Sequence, residues 1–133
     1  MVEDKANESP RYYIELGATE EHGRSMVAKL ASRKCYEHRS VTDITGDLKP
    51  KDHVKEIAGH CADTADYLLP DTPLKEAIFR VILAGKNKET TALKVSQNLE
   101  TRWAMSSYTR NISPGVIGKL LESSSIYGIV AVP

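Results

Sequence analysis

From Leu74 to Leu121 the apolar residues fall at helical spacing in successive blocks. The first is Leu74, Ala77, Ile78, Val81 and Ile82, opened by Thr72-Pro73 and stopped by Gly85, with "KNKE" as the turn that follows. The second, beginning at Thr90 or Thr91, turns Ala92, Val95, Leu99 and Trp103 inward. After the polar loop "SSYTRN", Ser113-Pro114 opens the third by the same cap-plus-proline device, with Val116, Ile117, Leu120 and Leu121 apolar. "IYGIVAV" (126–132) then reads as a strand with one glycine. Trp103 and Tyr127 are the expected anchors of a shared core.

The first half is less regular. "RYYIEL" (11–16) reads as a short strand or as the lead into a helix. Thr19 caps an expected helix with Glu20 and Glu21 in its first turn, Met26, Val27, Leu30 and Ala31 on its apolar face, and Arg33 and Lys34 near its end. "RSVTDITGDLKP" (39–50) reads as strand or loop. Pro50 suits the first turn of a further helix, whose stripe Val54, Ile57, Ala58, Cys61, Ala65, Leu68 and Leu69 carries it as far as Leu69.

Pro70-Asp71 divides the chain into a polar tail expected to be disordered (1–10), a helical half (11–70) and a C-terminal unit (71–133). Three short helices and a strand in so few residues have the layout of a winged helix. The expected fold is therefore mainly α: a winged helix-turn-helix of three helices plus a short strand, preceded by a small two-helix half. A two-stranded wing requires "RYYIEL" or "SVTDI" to pair with the last strand.

Composition narrows the function classes. The 133 residues contain 41% apolar side chains, enough for a core. Eighteen basic residues balance 18 acidic ones, giving no general electrostatic attraction to nucleic acid or to an anionic membrane. The balance is uneven, however: residues 1–70 carry a net −3 and residues 71–133 a net +3. No apolar run approaches the roughly 20 residues that span a bilayer, and the acidic N-terminus is unlike a signal peptide. A cytoplasmic location is expected, where a Cys35–Cys61 disulfide is disfavoured and metal binding gains weight.

The stretch "PLKEAIFRVILAG…ISPGVIGKLLESSSIYGIVAV" resembles the winged-helix segments of HARE type and their bacterial relatives, in which a helix ending in "LL" leads through polar residues to a "YGI" strand. The resemblance covers about half the chain. The N-terminal half is similar to a group of uncharacterised bacterial proteins in which a Cys-x-x-Cys knuckle after one helix pairs with adjacent cysteines on the next. Here Cys35 and Cys61 match thiol positions, while His38 and His60 stand where those relatives have cysteine. The resemblance implies a fold and a zinc site, and supplies no reaction.

The residues themselves leave two readings of these positions open. Cys35-Tyr-Glu-His38 has zinc-knuckle spacing, and with His60 and Cys61 it completes a four-ligand set for a structural zinc. Alternatively, Cys61 continues an apolar stripe and is a small core residue, with Cys35 near the surface. Neighbours on a helix point about 100° apart, whereas two ligands of one zinc lie about 3.5 Å from each other. His60 and Cys61 can therefore both ligate only if the helix ends or bends near residue 60, for which "ADTAD" is a suitable place. His22 or His53 are substitutes, but His53 and His60 together are about 10 Å apart along a helix, too far for one ion.

No P-loop, dinucleotide fingerprint, zinc-protease motif or nucleophile elbow is present, so no enzymatic activity and no small-molecule substrate are expected. The remaining classes are a nucleic-acid-binding module and a protein-interaction or homodimerisation module. The first draws on Lys94, Arg102, Arg110, Ser113 and Lys119, with the third helix as the inserted element. The second draws on the neutral chain and on Gly115 and Gly118, which would let another helix approach closely.

Overall fold

The chain runs β1 (Tyr12–Ile14), α1 (Glu20–Ala31), α2 (Pro50–Gly59), α3 (Leu74–Ala84), α4 (Ala92–Arg102), α5 (Pro114–Glu122) and β2 (Ile129–Ala131). The structure, a computed structural model, describes residues 10–17, 20–34, 49–106 and 110–133. It is mainly helical, with a small two-stranded antiparallel sheet. None of the helices among the described residues is long and apolar enough to cross a membrane.

Helix α3 lies at the centre. Ala77, Ile78 and Phe79 are consecutive and all fully buried, as are Val81, Ile82 and Leu83 or nearly so. A helix buried on successive residues has neighbours all round rather than along one stripe. Around it pack Met26 and Leu30 of α1, Val54 and Ile57 of α2, Val95 and Leu99 of α4, and Ile117 and Leu121 of α5. This core is continuous across Pro70, and Trp103 and Tyr127 take the expected places: Trp103 is buried, and the Tyr127 ring packs on Phe79 at 5.2 Å.

The caps of α4 and α5 follow the sequence, while Thr19, the expected cap of α1, lies outside the described residues. Thr91 Oγ1 accepts from the Lys94 N–H at 3.2 Å and Ser113 Oγ from the Val116 N–H at 3.5 Å, with Pro114 in the first turn of α5. At α3 the start is one residue later than expected, with Pro73 itself in the cap position at ψ 139°. The Thr72 carbonyl is turned away to accept from Arg110.

The larger difference is in α2, which stops at Gly59 instead of continuing to Leu69. His60 leaves helical geometry (φ −142°, ψ −58°), and a single 3-10 turn spans Cys61–Asp63. Glycine lowers helix propensity, and Thr64 completes the break by donating its hydroxyl to the Cys61 carbonyl at 2.7 Å. Beyond it the chain lacks a ladder, so side chains satisfy its carbonyls. Arg80 Nη1 donates to Tyr67 O at 2.7 Å, Trp103 Nε1 to Leu68 O at 3.1 Å, and Arg110 Nη1 to Pro70 O at 3.2 Å and to Thr72 O.

"RYYIEL" is the strand that pairs with the C-terminal one, in the register Tyr12↔Ala131, Tyr13↔Val130 and Ile14↔Ile129. Its other edge faces the turn between α3 and α4. Tyr12 and Thr90 exchange both backbone hydrogen bonds, at 2.8 and 2.9 Å. "SVTDI", the other candidate partner, lies outside the described residues. The predicted strand 126–132 is shortened by a 3-10 turn at Ser125–Tyr127 and by Gly128 at φ +78°, which redirects the chain into β2.

Candidate nucleic-acid interface

Helix α4 turns Val95, Ser96 and Leu99 inward, which leaves Lys94, Gln97, Asn98, Thr101 and Arg102 together on its outer face. They line one shallow depression. A second, of about 250 Å³, continues from Lys94 and Asn98 past Val81 and Gly85 to Lys88 and Thr90. Arg102 is held in place there. Its Nε donates to Asn98 Oδ1 at 2.9 Å, and its guanidinium lies 5.8 Å from the centre of the Tyr67 ring. The residue as a whole is exposed.

The other residues expected to meet nucleic acid are dispersed. Arg110 is half-buried, lies 5.6 Å from the Trp103 ring and donates to two loop carbonyls, so it closes the 70–72 loop onto the core. Ser113 caps α5. Lys119 is exposed on α5, one turn before Glu122. Gly118 meets Ala92 of α4, 3.6 Å from where a Cβ would stand, so the close approach it permits is used inside this chain; around Gly115 the space is open. The exposed amides Gln97 and Asn98 were not singled out from the sequence. The signal was present, since the apolar positions 95 and 99 already place 94, 97, 98 and 101 on the opposite face.

Charges that sit deeper are paired. Arg33 grips Glu76 with Nε at 3.0 Å and Nη2 at 2.7 Å, and Arg80 Nε reaches the same carboxylate at 2.8 Å. Burial pushes the Glu76 carboxyl up, but the hydrogen bonds from Arg33 and Arg80 outweigh it and hold the group below the ordinary carboxylate range. Arg33 also lies 5.2 Å from the Phe79 ring. Lys34, expected near a helix end, is buried with its ammonium against Glu56 of α2.

Of the candidate zinc ligands, Cys35 and His38 lie outside the described residues. His60 is half-buried at the end of α2, and Cys61 is fully buried within the apolar core. Both stand beyond the last helical residue, so the break that co-ligation requires is there. Among the described residues, no group of three or more His, Cys, Asp or Glu is gathered as a metal site. His53 faces the core from α2.

Comparison with known protein families, curated proteins and solved structures finds no match to this chain.

Proposed function

We propose that the chain is a winged-helix-type module that binds nucleic acid. The order α3, extended Thr90, α4, α5, β2 supports the winged-helix reading, with β1 supplying the partner strand that the wing needs. The observation that carries nucleic-acid binding is the exposure of Lys94 and Arg102 on one helix face with no carboxylate bound to either among the described residues. Cations left open beside exposed amides match a phosphate backbone with base edges between. Fluorescence anisotropy with labelled DNA and RNA tests the reading. Binding whose logarithm falls linearly with the logarithm of salt supports it, and no binding at low salt ends it.

A protein partner or a second copy of the chain is the alternative, favoured by one feature. Leu93 is 53% exposed and lines a depression with Pro10, Tyr12, Ala92, Pro114 and Glu122. A concentration-dependent mass in light scattering supports it.

A structural zinc on Cys35, His38, His60 and Cys61 is part of the proposal and rests on the end of α2 at Gly59. Four protein ligands would leave no position for water, so its role would be to hold the fold. Elemental analysis should find about one zinc per chain, lost with Cys61→Ser. Metal-free wild-type protein would assign Cys61 to the core alone.

A further inference from the structure

We infer that α4, rather than α5, is the helix that enters the major groove of duplex DNA; this rests on the nucleic-acid reading above and gives it a substrate class and a reading element. In helix-turn-helix proteins the second helix of a tightly joined pair reads base edges, and the first crosses the backbone. The more shortly linked pair here is α3 and α4, although α4 packs more extensively against α5. Residues 85–91 join α3 and α4, whereas residues 103–113 separate α4 from α5. The turn is sharp because it begins with Gly85 and places Lys86 (φ 61°) and Asn87 (φ 59°) in the left-handed region. It is also locked, since Thr90 and Asn87 are both bonded to β1.

The side chains divide the same way. From Lys94 to Arg102 is about 12 Å along the helix axis, comparable with a major groove about 12 Å wide. Gln97, a side-chain type that pairs with adenine, lies between these two cations on the same face, next to the Asn98 that accepts from Arg102. The exposed face of α5 offers Gly115, Lys119 and Glu122, with no amide and with an acid beside its one cation. Lys88 on the turn lines the adjoining depression and extends this face toward flanking phosphates, next to Glu89. The nearest exposed acid on α4, Glu100, lies about 120° round the helix from Lys94. Glu89 is 3.1 Å from Arg11.

Arg102 is prepared for this role. Asn98 and the Tyr67 ring fix it, and the Tyr67 hydroxyl is in turn bonded to Arg80 O at 2.6 Å. An arginine held in advance loses less side-chain freedom on meeting a phosphate or a guanine.

The test is anisotropy with a fluorescein-labelled, mixed-sequence DNA duplex about two helical turns long, over a range of salt. Lys94→Ala and Arg102→Ala should each weaken binding several-fold and reduce the salt slope by about 1, while Arg102→Lys restores the slope. Lys119→Ala should leave both unchanged. From a pool of randomised duplexes the wild type should enrich a sequence that the Gln97→Ala variant does not. All these side chains are exposed, and circular dichroism confirms that each variant folds. If Lys119→Ala weakens binding and the α4 variants do not, this assignment falls while the nucleic-acid reading stands. Tighter binding to the single strand overturns the duplex. No binding by the wild type removes both.

Discussion

Asn87 holds Ile14 at both polar groups of its backbone: Oδ1 accepts from the Ile14 N–H at 2.7 Å, and Nδ2 donates to the Ile14 carbonyl at 2.8 Å. Backbone groups of β1 alternate between its two edges, and those of Tyr12 and Ile14 face the α3–α4 turn. Thr90 serves Tyr12, and the Asn87 side chain continues the ladder one step further. Asparagine also tolerates φ 59°, where most residues are strained. Asn87→Ala loses two hydrogen bonds at about 1 kcal/mol each, plus about 1 kcal/mol for a left-handed alanine. Asn87→Gly keeps the backbone relaxed. We expect losses of about 3 and about 2 kcal/mol in urea unfolding, and an Asn87→Gly variant as stable as wild type would show that the clamp contributes nothing separate from the turn.

Glu76 ties the end of α1 to α3 through Arg33, with Arg80 on the same carboxylate. Its side chain is 15% exposed and that of Arg33 is 18%, so solvent screens the pair only partly. Glu76→Gln should cost about 2 kcal/mol at neutral pH, since it leaves two half-buried cations without their anion. The pH dependence has a definite sign. The folded carboxyl titrates below its ordinary value of 4.5, so as pH falls the unfolded chain takes up this proton first. The stabilisation is complete above that value and is lost as pH falls through the lower, folded one. Urea midpoints across this range should fall more steeply for the wild type than for Glu76→Gln.

The C-terminal unit was legible because several local signals agreed there. At α4 and α5 the periodic apolar residues, a hydroxyl cap and, for α5, a proline at the first position all specify the same boundaries. The end of α2 was harder to read because the apolar spacing continues through Cys61 and Leu68 after the helix has stopped. Both are buried, but from a 3-10 turn and a loop that Arg80, Trp103 and Arg110 hold by its carbonyls. Periodicity records burial and does not reveal which backbone delivers it. Arg110 illustrates the complementary limit. The sequence offers it as a nucleic-acid contact, and only the packed structure brings it to Trp103 and the carbonyls of Pro70 and Thr72. Likewise Lys34 reads as a cation suited to a helix C-terminal end, yet its ammonium meets Glu56 on the next helix.

Two glycines should respond in opposite directions. Gly128 sits at φ +78°, where an added Cβ would lie 2.8 Å from Met26 Cε and 3.3 Å from Glu15 O. Gly128→Ala therefore combines backbone strain of about 1–2 kcal/mol with a clash against the backbone of the segment leaving β1, and a loss of at least 2 kcal/mol is expected. Gly115 stands in the first turn of α5 with open space around it. Gly115→Ala should stabilise by about 0.4–1 kcal/mol by restricting the unfolded chain. Thermal midpoints measured side by side test both, and a Gly128→Ala variant as stable as wild type would refute the geometry of the turn into β2.

Tyr67 should set an alkaline limit to stability. Burial pushes its phenol well above the ordinary value of 10.0, against an opposing pull from Arg80 and Arg102. Its hydroxyl donates to Arg80 O at 2.6 Å, a bond that only the neutral phenol can make. Above pH 10 the unfolded chain releases this proton while the folded chain keeps it, so stability falls as pH rises toward the folded value. Tyr67→Phe removes the hydrogen bond at a cost of about 1 kcal/mol at neutral pH, and it also removes this part of the alkaline decline. Burial also raises Tyr12 and Tyr127, so the informative quantity is the difference between wild type and variant. That difference in urea midpoint should shrink steadily above pH 10, while absorbance of the tyrosinate shows one residue fewer ionising only on unfolding; a constant difference would mean that the Tyr67 phenol is open to solvent in the folded protein.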